Sequence, residues 1–141
     1  MPTLSFKDRG AAVLIAHAKA IGVDRVVQDS SGNAGNSVAA YCGRVGIACD
    51  IFVPEGTSDK KIRMIEAHGA TAHIIPGNRD HCADVCRATA REKQLYYANH
   101  VYNPFFYEGP RRISMKRMSS CTASPNIFLS LWGTAPCSWA S

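Results

Sequence analysis

The chain has 141 residues, 46% of them hydrophobic and 19% charged, and a net charge of +5. This describes one small globular domain, too short for two and without an apolar run that could span a membrane. The opening MPTLSFKDRG has no signal-peptide architecture, so the expected setting is the cytoplasm, with no membrane partner.

The first predicted element is a helix through AAVLIAHAKAIG, starting near Asp8 and stopping at Gly22, a residue suited to the C′ position. RVVQ follows as a short buried strand, SSGNAG as a turn, and NSVAAYCGRVG as a second helix ending at a glycine. CDIFVP reads as a strand. SDKKIRMIEAHG has an N-cap serine, one charged and one apolar face, and a terminal glycine. ATAHIIP is the third strand, RDHCADVCRATAREK the next helix and LYYA the fourth strand. The strands centre near Val26, Phe52, Ile74 and Tyr96, with a helix between each pair. This alternation predicts an α/β fold, a parallel sheet with flanking helices joined by right-handed crossovers. Ligands of such sheets sit outside the carboxyl ends of the strands, where SSGNAG lies.

Two stretches carry chemistry. In SSGNAG, Ser30, Ser31, Gly32, Asn33, Ala34 and Gly35 join a strand to a helix N-terminus. Glycines allow close approach of backbone to ligand, and the free N–H groups of the helix favour an anion. Asn33 adds an amide that both donates and accepts. A tight serine-capped turn is the plain alternative. GNAGNS is neither a Walker A loop nor a clean G-x-G-x-x-G. The second stretch is SFKDRG. Lys7 stands at a helix N-terminus, the wrong end of the macrodipole for a cation, and beside Phe6. Both features lower an amine's pKa, as an imine-forming or proton-shuttling lysine requires. A surface lysine paired with Asp8 or Glu55 is the plain alternative here.

The six cysteines, Cys42, Cys49, Cys82, Cys86, Cys121 and Cys137, are irregularly spaced and read as free, mostly buried thiols. Cys82 and Cys86 would share a helix face, but no second cluster completes a four-ligand metal site, so no metal is expected.

Taken together, SFKDRG and SSGNAG resemble the pyridoxal-phosphate enzymes of the tryptophan synthase β type, fold type II. Within that group the chain is most similar to threonine synthases, whose hallmarks are close to PTGSFKDRG and SSGNAG. FVPEGTSDKKIRMIEAHGA and NPFFYEG match the same family in the same order. Leu4 stands where the family usually has glycine. The resemblance implies pyridoxal 5′-phosphate as cofactor and Lys7 as the lysine that holds it and then works as acid and base at the substrate's α-carbon. Asn33 would contact the cofactor's 3′-oxygen. Ser30, Ser31, Gly32, Asn33, Ala34 and Gly35 would hold the substrate carboxylate. Asp8 and Arg9 would form ion pairs that fix the turn. The implied reaction converts O-phosphohomoserine to threonine and phosphate, and the full-length family implies a homodimer. A serine/threonine dehydratase or a cysteate-synthase-like enzyme of the same fold is the alternative.

The resemblance covers residues 1–109, read as part of a pyridoxal-phosphate enzyme domain. Residues 1–109 hold 12 lysines and arginines and all 11 acidic residues, whereas residues 110–141 hold Arg111, Arg112, Lys116 and Arg117 and no acid. In place of the glycine-rich phosphate loop expected of the family comes PRRISMKRMSSCTASPNIFLSLWGTAPCSWAS. Shifting the frame by one base permits YETYEQL across Ser114–Cys121 and LGNGTLLLG across Leu131–Ala140. Residues 110–141 therefore read as a frameshifted basic tail on a truncated, inactive product that also lacks the usual segment before the lysine. A genuine basic tail that binds nucleic acid is the competing reading.

Overall fold

A computed structural model describes residues 1–111. The proposed out-of-frame segments, Cys121 and Cys137 lie outside the described residues. Helix α1 spans Lys7–Ala20 and leads into strand β1, Arg25–Gln28. Helix α2, Asn33–Val45, precedes β2, Ala48–Pro54; α3, Asp59–Ala67, precedes β3, Thr71–Ile75; and α4, Arg79–Glu92, precedes β4, Tyr96–Tyr97. Every strand expected from the sequence is present, and residues 104–111 are again helical.

The four strands form one parallel sheet in the order β3-β2-β1-β4. The chain moves outward from β1 to β3 and then returns to place β4 on the free side of β1. The order thus reverses at β1, and the carboxyl ends of β1 and β4 are where ligands of such sheets sit.

Alternation along the strands divides the core in two. Val26, Ile51 and Val53 face Leu14, Ile15 and Ala18 of α1, Val38 and Cys42 of α2, and Ile65 of α3. Val27 and Phe52 face Cys82, Cys86 and Ala90 of α4. Each fully buried aliphatic side chain here contributes about 1.5–3 kcal/mol. Cys42, Cys49, Cys82 and Cys86 are free and buried, as expected of small core residues. Charged side chains of three neighbouring strands meet across the sheet: Asp50 on β2 accepts from Arg25 on β1 at 3.0 Å and contacts His73 Nε2 on β3 at 3.1 Å.

The departure from the family at Leu4 has a structural consequence. Leu4 is 90% exposed and has φ = 57°. The left-handed region costs a residue with a Cβ roughly 1–2 kcal/mol, whereas glycine enters it freely. Leu4→Gly should therefore stabilise the chain by about 0.5–1 kcal/mol, after allowing for glycine's larger entropy loss. A rise in the urea midpoint at unchanged slope is the expected reading; a fall would show that the conformation carries no strain.

Candidate active site

Lys7 is the first residue of α1, whose run toward the start of β1 places its N-terminus at the carboxyl end of the sheet. Its ammonium lies 4.9 Å from the centre of the Phe6 ring and 5.6 Å from that of Phe106. No carboxylate reaches it among the described residues. Burial against these rings lowers the amine's pKa from its ordinary value. That is the direction expected from the sequence.

The next residue anchors the turn differently from the expectation. Asp8 is fully buried and makes hydrogen bonds, not an ion pair, because its neighbours are hydroxyls and an amide. Its carboxylate accepts from Thr3 N at 3.0 Å, Thr3 Oγ1 at 2.5 Å and Ser37 Oγ at 2.7 Å. Burial pushes this carboxyl up, but the bonds from Thr3 and Ser37, with the N-terminal charge, outweigh it and hold it below its usual range. Arg9 is exposed and joins no ion pair among the described residues. The Asp8–Ser37 bond ties the first turn of α1 to α2, so the mouths of the two helices move as one.

Gly10 closes the same turn for a packing reason. A Cβ there would lie 2.6 Å from Phe106. A Cβ on Gly109 would lie 2.0 Å from the Arg9 carbonyl oxygen. The segment 104–111 thus crosses α1 at two glycines, and this contact delivers Phe106 to Lys7.

The SSGNAG loop leaves β1 as expected, although α2 begins earlier than read from the sequence, at Asn33 and not Asn36. Gly32 caps the helix without a side-chain bond. The first N–H groups of α2 therefore remain available to an anion. Ser30 is buried and its Oγ accepts from Gly32 N at 3.3 Å. Ser31, Gly32 and Asn33 line a recess completed by Asn36, Lys61, Met64 and Ile65. Lys7 does not line it. Asn36 is 8% exposed, and its Oδ1 has no partner among the described residues.

The carboxyl ends of β1 and β4 also hold residues that no local pattern marked. Tyr97 Oη donates to Asp29 at 2.8 Å, and Asn99 Nδ2 donates to Tyr97 at 2.8 Å. Burial, reinforced by the bond to Asp29, pushes the Tyr97 phenol up. Asn99 Oδ1 accepts from the N–H groups of Val101 and Tyr102, which fixes the loop after β4. Gln28 and His100 meet beside it. The Tyr97–Asp29 and Gln28–His100 contacts join residues about 70 positions apart, so they carry no short-range signature.

Pyridoxal phosphate fits this part of the site on three observations. There is an amine of lowered pKa, a helix mouth left uncapped by side chains, and a buried amide oxygen without a partner among the described residues.

The profile of the family described as pyridoxal-phosphate dependent enzyme matches residues 1–136. A threonine synthase of Bacillus sp. (strain ULM1) is 35% identical over 127 residues, 89% of this chain and 36% of that protein. The threonine synthase of Methanocaldococcus jannaschii is 38% identical over 116 residues, 82% of this chain and 28% of that one. The chain thus spans about a third of the length of these relatives. Among solved structures, a pyridoxal 5′-phosphate-dependent aspartate racemase superposes with a TM-score of 0.74 at 26% identity, covering 82% of this chain and 36% of that one. The diaminopropionate ammonia lyase of Escherichia coli superposes at 0.72 and 17% identity, with 89% of this chain and 42% of that one covered, a likeness of fold alone.

Proposed function

We propose, for a chain that belongs to the family of pyridoxal-phosphate dependent enzymes, that it carries the lysine-bearing part of a threonine-synthase type enzyme. The substrate is O-phosphohomoserine. Phosphate leaves the γ-carbon and water adds at the β-carbon to give threonine. The observation that carries this reading is the tie between Asp8 and Ser37, which couples the Lys7 turn to the helix of the SSGNAG loop. The relatives named threonine synthase support the choice within the family.

When bound, the cofactor supplies a conjugated ring that stores the charge developed at the α-carbon. Lys7 holds it, removes the α-proton and returns protons to the substrate, work for which an easily neutral amine is suited. Ser30 to Gly35 would receive the substrate carboxylate on the N–H groups of α2, and Asn33 would help hold the cofactor. Phe6 and Phe106 flank the amine. The reading includes a cytoplasmic setting and, for the full-length family, a homodimer.

The aromatic walls around Lys7 favour a second reading, a dehydratase acting on an uncharged hydroxy-amino acid. Incubating the full chain with pyridoxal phosphate separates the two. Phosphate and threonine released in equal amounts from O-phosphohomoserine support the first reading; a 2-oxo acid formed from serine or threonine supports the second. Neither product would remove both activities from this chain.

A further inference from the structure

Three groups that line the recess beside the SSGNAG loop lack partners among the described residues. The first is the mouth of α2, whose opening N–H groups receive no side-chain cap. The second is the side-chain oxygen of Asn36, a buried acceptor without a donor. Such an acceptor requires an explanation. The third is the ammonium of Lys61 on α3, an exposed cation that joins no ion pair. Acceptor, cation and free N–H groups thus border one space.

Helical spacing explains why they meet there. Asn33 and Asn36 are three residues apart on α2, and Lys61 and Ile65 are four apart on α3, so each pair shares a helix face. Ile65 is 1% exposed and belongs to the core that also holds Val38 and Cys42 of α2. This fixes α3 against α2 and carries Lys61, one turn earlier, to the recess at the start of α2. Among the described residues that line the recess, Lys61 alone is charged and none is acidic. Met64 and Ile65 add an apolar wall. A helix mouth, a cation and an apolar wall together suit a carboxylate on a short aliphatic stem.

We propose that Lys61 folds over this recess when an amino acid binds, its ammonium donating to Asn36 Oδ1 and to the carboxylate seated on the α2 mouth. The proposal rests on the reading that Ser30 to Gly35 receive the substrate carboxylate, and it adds a charged binding residue from another helix. An ammonium has three donors and no acceptor, so it serves both oxygens at once. Its flexible four-carbon stem and exposed position leave it free to swing inward. The bond to the carboxylate joins two charges and is stronger than one between neutral groups. Lys60 provides an internal control: it is the preceding residue of α3, equally a lysine and exposed, but it does not line the recess.

The test titrates the full chain, without cofactor, with L-threonine and separately with inorganic phosphate. NMR follows the backbone amides of Gly32 and Asn33 and the side-chain amide of Asn36. L-Threonine should move all three in wild type. Lys61→Gln should weaken its binding about tenfold, the effect of losing one charged hydrogen bond, and should abolish the response of the Asn36 side chain. Lys60→Gln should leave binding within about twofold. Added salt should weaken binding to wild type more than to Lys61→Gln. Equal losses in Lys60→Gln and Lys61→Gln overturn the proposal, because the net charge of α3 would then be enough. A response to phosphate with none to L-threonine also overturns it and makes the recess a phosphate site. Silence of wild type toward both overturns the anion site altogether. Turnover plays no part in these outcomes, so failure of O-phosphohomoserine to give threonine counts against the reaction and leaves the recess to be decided by the titration.

Discussion

Lys7→Ala is expected to abolish the capture of pyridoxal phosphate by this chain, and Lys7→Arg to abolish it as completely. The measurement is mass spectrometry of tryptic peptides after incubation with the cofactor and borohydride reduction. Wild type is expected to carry the adduct on the peptide containing Lys7, in preference to the exposed Lys19, Lys60, Lys61 and Lys93. The reason is the amount of free amine. Each unit by which burial lowers an amine's pKa gives about tenfold more of the reactive neutral form near pH 7. Only Lys7 among these lysines is half-buried against two aromatic rings and displaced downward. Arginine preserves the charge and much of the packing but is never neutral in a protein. If Lys7→Arg still captured the cofactor, or if adduct spread evenly over all lysines, the site would not be formed at Lys7.

The parts of this molecule legible in the sequence are those set by local spacing. The 22- to 26-residue recurrence of apolar runs located the four strands, because a buried parallel strand and its covering helix each leave a periodic trace. The placement of Lys7 at one helix N-terminus and of the Ser30 to Gly35 loop at another was legible because a helix N-terminus is a local object. Asp8 shows where this stops. An aspartate beside an arginine suggests an ion pair, yet the fold buries Asp8 beneath Thr3 and Ser37 and leaves Arg9 in solvent. Ser37 is 29 residues away, and nothing in its neighbourhood identifies it as a partner. The same holds for Gly10, which reads as part of a motif but is required by Phe106. Gln28 meets His100 only because the strand order reverses at β1, which brings β4 beside it. Crossover connectivity is predictable from an α/β pattern; which side of the sheet the last strand joins is not.

Gly35→Ala is the substitution for which local propensity and tertiary structure disagree most. Gly35 lies in the first turn of α2 with a helical backbone, and alanine is favoured over glycine in helices by close to 1 kcal/mol. On propensity alone the variant should be more stable. The fold gives the opposite sign. A Cβ at Gly35 would stand 1.9 Å from the Ser30 carbonyl oxygen and 3.0 Å from its carbon. Both are backbone atoms of a buried residue at the end of β1, so relief cannot come from rotating a side chain. Either α2 or the loop must shift, and overpacking of this kind costs roughly 1–3 kcal/mol. Gly32→Ala provides the comparison within the same loop, since its Cβ would meet only Ser30 Oγ, at 3.9 Å. The expected result is a clear fall in the urea midpoint for Gly35→Ala and little change for Gly32→Ala. The shift would also pull the N–H groups of α2 out of place, so any carboxylate bound there should be lost in Gly35→Ala alone. A Gly35→Ala protein as stable as wild type would show that the loop does not lie against the helix in this way, and the anion site would lose its structural basis.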